Sequence, residues 1–98
     1  MTHPTAFTLQ TVVSQGADIL TSDVDGELVM MHVSSGEYFG LDAVSRRIWE
    51  LVAQPQAIEA VCERLTSEFD VDRATCEAET LEFVGQLAEA GLVKASTA

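Results

Sequence analysis

The sequence predicts an α+β domain in which a three-stranded antiparallel sheet is followed by three helices. Three observations predict it. Through the first 41 residues the apolar and β-branched side chains alternate or run together, and from Asp42 onward they recur every three or four positions. Asp25-Gly26 lies between two β-prone runs, and this pair suits a two-residue hairpin turn because both of its residues tolerate positive φ. Asp42, Asp72 and Gly91 stand where helices would be capped or stopped.

Residues 8–13 form a β-prone run that ends at Gln15-Gly16. Residues 17–24 and 27–33 flank Asp25-Gly26 as the two arms of a hairpin. The second arm, Glu27-Leu28-Val29-Met30-Met31-His32-Val33, is apolar on both faces, as a central strand covered on both sides would be. Ser34-Ser35-Gly36 turns the chain into a last short strand, Glu37–Leu41, at the edge of the meander. Asp42 caps a helix over 43–53, where Val44, Ile48, Leu51 and Val52 make an apolar stripe beside Trp49. Pro55 fits the first turn of a second helix over 55–69, whose apolar face is Ile58, Val61, Cys62, Leu65 and Phe69. Asp72 caps a third over 73–90, with Cys76, Thr80, Phe83, Val84 and Leu87 on its core face. Gly91 suits the left-handed stop, and Leu92 folds back on the last turn. Short turns throughout suggest a winged helix-turn-helix-like packing. The whole of 1–98 reads as one domain, with 1–7 flexible and 94–98 a tail.

Charge narrows the function. Sixteen acidic residues stand against Arg46, Arg47, Arg64, Arg73 and Lys94. The net charge of −11 repels phosphate backbones and anionic lipid heads, so neither nucleic acid nor a membrane is an expected partner. No apolar run approaches the roughly 20 residues needed to span a bilayer. The first residues lack a basic and apolar signal pattern, which points to the cytoplasm. Cys62 and Cys76 then read as reduced, packed thiols; a disulfide between their helices is geometrically possible but unforced.

Little in the chain suggests chemistry. His3, His32, Cys62 and Cys76 show no metal-ligand spacing, so no metal and no cofactor is expected. Asp23-Val24-Asp25-Gly26-Glu27 resembles the start of a calcium loop, but its flanks read as strands, which favours the hairpin turn. His32 is the sole internal histidine, and no nucleophile stands beside a base, so the chain does not read as an enzyme. Glu77, Glu79, Glu82 and Glu89 read as a solvated helix face, or as attraction for a basic peptide. The edge strand is more informative. Glu37-Tyr38-Phe39-Gly40-Leu41 is aromatic, with one charge and no lysine or proline to blunt it. Either a loop, the last helix or a second copy covers it, or an incoming peptide pairs with it as an added strand.

The run Gly36-Glu37-Tyr38-Phe39-Gly40-Leu41-Asp42, then Ile48-Trp49-Glu50-Leu51, Phe69-Asp70-Val71-Asp72, Phe83, Leu87 and Gly91-Leu92-Val93 resembles the PqqD-like family. Cys76 resembles the lasso peptide biosynthesis branch in particular. The likeness covers about residues 17–93. It implies a precursor recognition element of winged helix-turn-helix fold, without catalysis. The leader of a ribosomally made precursor would dock antiparallel to the last strand of the meander, in a groove against the third helix. Carried over by position, the peptide-binding residues are Glu37, Tyr38, Phe39, Gly40 and Leu41 with Cys76, Glu79, Thr80, Phe83, Val84 and Leu87, some of which must face the core instead. The resemblance also implies partners, a leader peptidase and a macrocyclase. Glu79 departs from the family pattern, in which an aspartate is expected. Two alternatives remain: the same module serving another pathway, such as pyrroloquinoline quinone or a radical-modified peptide, and a winged-helix transcription regulator. The middle helix opposes the latter, since it carries Arg64 against Glu59, Glu63 and Glu68.

Overall fold

The computed structural model describes residues 7–96 and contains the predicted meander and three helices, together with a second small sheet. The strands are β1 (Val12–Gln15), β2 (Ile19–Val24), β3 (Glu27–His32), β4 (Glu37–Leu41), β5 (Gln56–Ala57) and β6 (Val93–Ser96). The helices are α1 (Ala43–Leu51), α2 (Ile58–Glu68) and α3 (Arg73–Glu89). The meander has the order β2-β3-β4, all antiparallel, and one cross-strand row is Thr21, Met30 and Phe39. Asp25 and Gly26 take φ of 53° and 85°, the two positive values that the predicted turn requires.

Most boundaries shift by one or two residues, and the first strand, the second helix and the tail differ by more. The first strand begins at Val12 rather than residue 8, because Thr8 and Thr11 close a turn on themselves. Thr11 N donates to Thr8 O at 3.0 Å, and Thr8 N to Thr11 Oγ1 at 2.9 Å. The second helix begins at Ile58 rather than Pro55, because Gln56 and Ala57 pair with Val13 and Val12. Its first two amides are satisfied by a loop far away in sequence: Ile58 N donates to Thr11 O and Glu59 N to Leu9 O. Residues 94–96, read as tail, lie in β6. Gly91 reverses the chain at φ 81°, with Leu92 N donating to Leu87 O at 2.8 Å and Gly91 N to Ala88 O at 3.1 Å. The chain then returns antiparallel to β1, giving the order β5-β1-β6. Phe7 packs against the core; the rest of the segment expected to be flexible, with His3, lies outside the described residues.

The core joins both sheets and all three helices. Val13, Met30, Val52, Ile58, Cys62, Leu65 and Leu87 are fully buried in it. Among the described residues only one face of β3 is covered. Leu28 and Met30 point inward, while Val29 and Met31 stay half-exposed on an outer face beside Leu20 and Tyr38. The predicted double cover is not seen among the described residues, where the helix packed on β3 and β4 is α1, on the inner side. Arg46 ties that helix to the hairpin, donating to both carboxylate oxygens of Asp23 at 2.6 and 3.2 Å. Arg47 ties α1 to α2, donating to Glu68 at 2.8 and 3.0 Å.

Two predictions follow from this packing. A Cβ at Gly16 would lie 2.7 Å from Gly91 O, a backbone atom. Gly16→Ala is expected to lower stability by about 1–3 kcal/mol in urea unfolding, as overpacking does. The Arg47 hydrogen bonds hold the Glu68 carboxyl below its ordinary range. A lowered folded value contributes stability above the unfolded value, and that contribution is lost as pH falls through the folded one. Glu68→Gln should therefore melt below the parent protein at neutral pH, with the two converging at pH below about 4.

Candidate functional site

The turn at Asp25-Gly26 fixes which main-chain groups of β4 are free. A two-residue turn makes Val24 and Glu27 a hydrogen-bonded pair, so Glu27, Val29 and Met31 bond toward β2. Leu28, Met30 and His32 must then bond toward β4, where they face Leu41, Phe39 and Glu37. Tyr38 and Gly40, the residues between, direct their N–H and C=O groups away from β3. Neither makes a main-chain bond to another element among the described residues. The outer edge of β4 thus offers two donors and two acceptors at strand spacing. Its side chains divide by the same alternation. Tyr38 is 71% exposed on the outer face, Phe39 is half-buried against the core, and Leu41 is core. Nothing lies within 4 Å of where a Gly40 Cβ would be, so the outer face is open beside it.

Where β4 ends, a cavity of about 240 Å³ opens between α1 and α3. Asp42, the residue after β4 and the cap of α1, is on its rim; Asp42 Oδ1 accepts from Ser45 N at 2.9 Å. Its apolar lining includes Val44, Ile48, Leu65, Val71 and Phe83. From α3 come Thr75, Cys76, Glu79, Thr80 and Phe83, brought to one side by steps of three and four residues. The α3 cap resembles that of α1: Asp72 Oδ2 accepts from Thr75 N at 3.0 Å, a bond that also holds the Asp72 carboxyl below its ordinary range.

The sequence-predicted residues therefore separate into three groups. Glu37, Tyr38 and Gly40 are exposed on the free strand, with Phe39 half-buried beside them. Cys76, Glu79, Thr80 and Phe83 line the cavity. Leu41, Val84 and Leu87 are buried in the core, outside the cavity lining. Sequence reasoning missed the α1 wall of Val44, Ser45 and Ile48. The available signal was Asp42, which joins the edge strand directly to that helix.

Other candidates are engaged elsewhere. Burial pushes the Cys62 thiol up to about 11, away from thiolate chemistry. Both cysteines are free and buried, and Cys76 Sγ lies 3.8 Å from Thr80 Oγ1. His32 Nδ1 is 3.2 Å from Ser35 Oγ. Asp23, the first residue of the calcium-like run, is held by Arg46. On α3, Glu77 pairs with Arg73 at 2.7 Å, whereas Glu79, Glu82 and Glu89 are exposed. Among the described residues no group of three or more His, Cys, Asp or Glu side chains could hold a metal ion. No helix there is long and apolar enough to cross a membrane.

Comparison with known proteins gives two kinds of match. Residues 27–93 match the family model described as coenzyme PQQ synthesis protein D (PqqD). The chain is similar to a solved structure of TbiB1 in complex with the TbiA(beta) leader peptide. The identity is 32% and the TM-score 0.75, over 87% of this chain and 99% of that one. It is also similar to a lasso peptide synthetase B1 complexed with the leader peptide. There the identity is 26% and the TM-score 0.73, over 84% of this chain and 96% of that one. No curated protein matches the sequence.

The alternation in β4 can be read directly by amide hydrogen exchange. The Phe39 and Leu41 amides should be protected, and those of Tyr38 and Gly40 should exchange quickly in the unliganded protein. Protection of Tyr38 and Gly40 instead would place the strand in the opposite phase.

Proposed function

The chain belongs to the PqqD family, and we propose that it is a non-catalytic module that binds the leader of a ribosomally made precursor peptide in lasso peptide maturation. The observation that carries this reading is the 32% identity, over 87% of the chain, to a protein whose structure is a complex with a leader peptide. The site geometry is consistent with it. A leader laid antiparallel along β4 would bond to the free N–H and C=O of Tyr38 and Gly40. Every second leader side chain would then face the α3 side, toward the cavity lined by Cys76, Glu79, Thr80 and Phe83. The remainder would share the outer face with Tyr38. Glu37, Phe39 and Leu41 complete the strand, while Val84 and Leu87 support the α3 wall from the core.

Magnitudes assign the two parts different roles. Each main-chain hydrogen bond contributes about 0.5–1.5 kcal/mol net. Ordering the peptide backbone costs about 1–2 kcal/mol per residue. Strand addition alone therefore cannot hold a flexible leader. A fully buried aliphatic side chain adds about 1.5–3 kcal/mol, so the cavity supplies the missing affinity and selects the sequence. The bound leader would be presented to a separate leader peptidase and then to a macrocyclase.

The family description favours a second reading, the same module serving a pyrroloquinoline quinone pathway or a radical-modified peptide. The genes beside this one distinguish the two. A DNA-binding regulator finds no support, since Arg64 on α2 is paired with Glu68 and the net charge is −11.

The test is a titration with a fluorescent leader peptide from the neighbouring precursor gene, with a scrambled leader as control. Saturable binding of the leader alone is expected. Gly40→Pro removes an outward N–H without removing a bond to β3, and proline is tolerated on such an edge. It should leave the helical circular dichroism intact and weaken binding by about 5- to 100-fold, the effect of stranding one buried acceptor. A folded Gly40→Pro protein with unchanged affinity would falsify strand addition.

A further inference from the structure

We propose that the cavity selects leaders in which a lysine or arginine lies two residues from an aliphatic anchor, on the same face of the added strand. This rests on the leader-binding reading and specifies the ligand chemistry of that site. The lining is apolar at Val44, Ile48, Leu65, Val71 and Phe83, yet it includes the carboxylates of Asp42 and Glu79, and no basic residue. These two acids come from opposite walls, Asp42 from the end of β4 and Glu79 from α3. Both are exposed, and Glu79 makes no ion pair or side-chain hydrogen bond among the described residues.

Among the described residues no lysine or arginine is available to neutralise that rim. Arg46 is held by Asp23 and Glu50, Arg47 by Glu68 and Glu50, Arg64 by Glu68 and Arg73 by Glu77. Lys94 sits on β6, in the other sheet. An apolar cavity with a doubly acidic rim is complementary to an aliphatic side chain followed by a cation. Strand geometry sets the spacing: residues two apart share a face and lie about 6.6–6.8 Å from each other. A cation two positions from the anchor would reach the rim while the anchor fills the cavity. An acidic residue at that position would face Asp42 and Glu79 and be rejected.

The test uses the leader from the neighbouring precursor gene, and the same peptide with its lysine or arginine nearest the anchor replaced by glutamine. Both are titrated into the parent protein and Glu79→Gln, at low and high salt. Glutamine preserves the shape of an exposed side chain, and circular dichroism checks the fold. Neutralising the peptide should weaken binding to the parent protein by about two- to fivefold at low salt, the range for an exposed ion pair. The loss should be smaller in Glu79→Gln and should fade in high salt. Equal binding of both peptides to the parent protein, or a leader with no basic residue at that spacing, overturns the charge rule and leaves leader binding standing. Failure of every peptide to bind the folded protein overturns both.

Discussion

The two-residue turn at Asp25-Gly26 governs the edge of a strand to which it does not connect. Because no residue can be added to or lost from that turn without changing its type, the pairing of Val24 with Glu27 is fixed. The bonding direction of every residue in β3 follows from that pair, and the free groups of β4 follow from β3. A slip of one residue would turn the outward amides of Tyr38 and Gly40 inward. It would also move Phe39 and Leu41 from the core face to solvent. Burial of Met30 and Leu41 therefore guards the same register that presents the edge.

The second sheet serves the other half of the site. Strand β1 is held between β5, which leads into α2, and β6, which follows α3. Both helices are thereby tied to one strand, α2 at its start and α3 at its end. The α2 amides that bond to Leu9 and Thr11 need no capping side chain, which explains why Ala57 suffices at that position. At the far end, Gly91 turns Leu92 and Val93 back into the core, so α3 is fixed where it leaves the site. Its opposite end stands beside Asp42, where the cavity remains open. The apolar side chains that line this open pocket face water, and a ligand that covers them removes that area from it.

What the sequence made legible was local. The Asp25-Gly26 turn, the caps at Asp42 and Asp72 and the stop at Gly91 each depend on residues within one turn of the chain. All of them appear in the structure. The second sheet was not legible, because two of its strands have no pattern of their own. Gln56-Ala57 is too short for alternation, and Val93–Ser96 becomes a strand only by pairing with Val12–Gln15. The helix stripes carried a different ambiguity. Thr80, Phe83, Val84 and Leu87 share one face by periodicity, yet Thr80 and Phe83 also border the cavity while Val84 and Leu87 do not. Periodicity names the buried face of a helix, but only its neighbours decide which part of that face is filled.

An unblunted edge strand invites self-association, and proteins commonly answer with lysine or proline on the strand itself. Neither residue occurs in Glu37–Leu41. A lysine there would repel a cationic peptide, and a proline at Tyr38 or Gly40 would remove a donor that a peptide needs. Net charge provides protection without altering the strand. Two copies meeting edge to edge bring charges of −11 together, whereas a neutral or basic peptide meets no such barrier. The acidic surface thus opposes edge-to-edge pairing of two copies while leaving the bare edge open to a neutral or basic peptide.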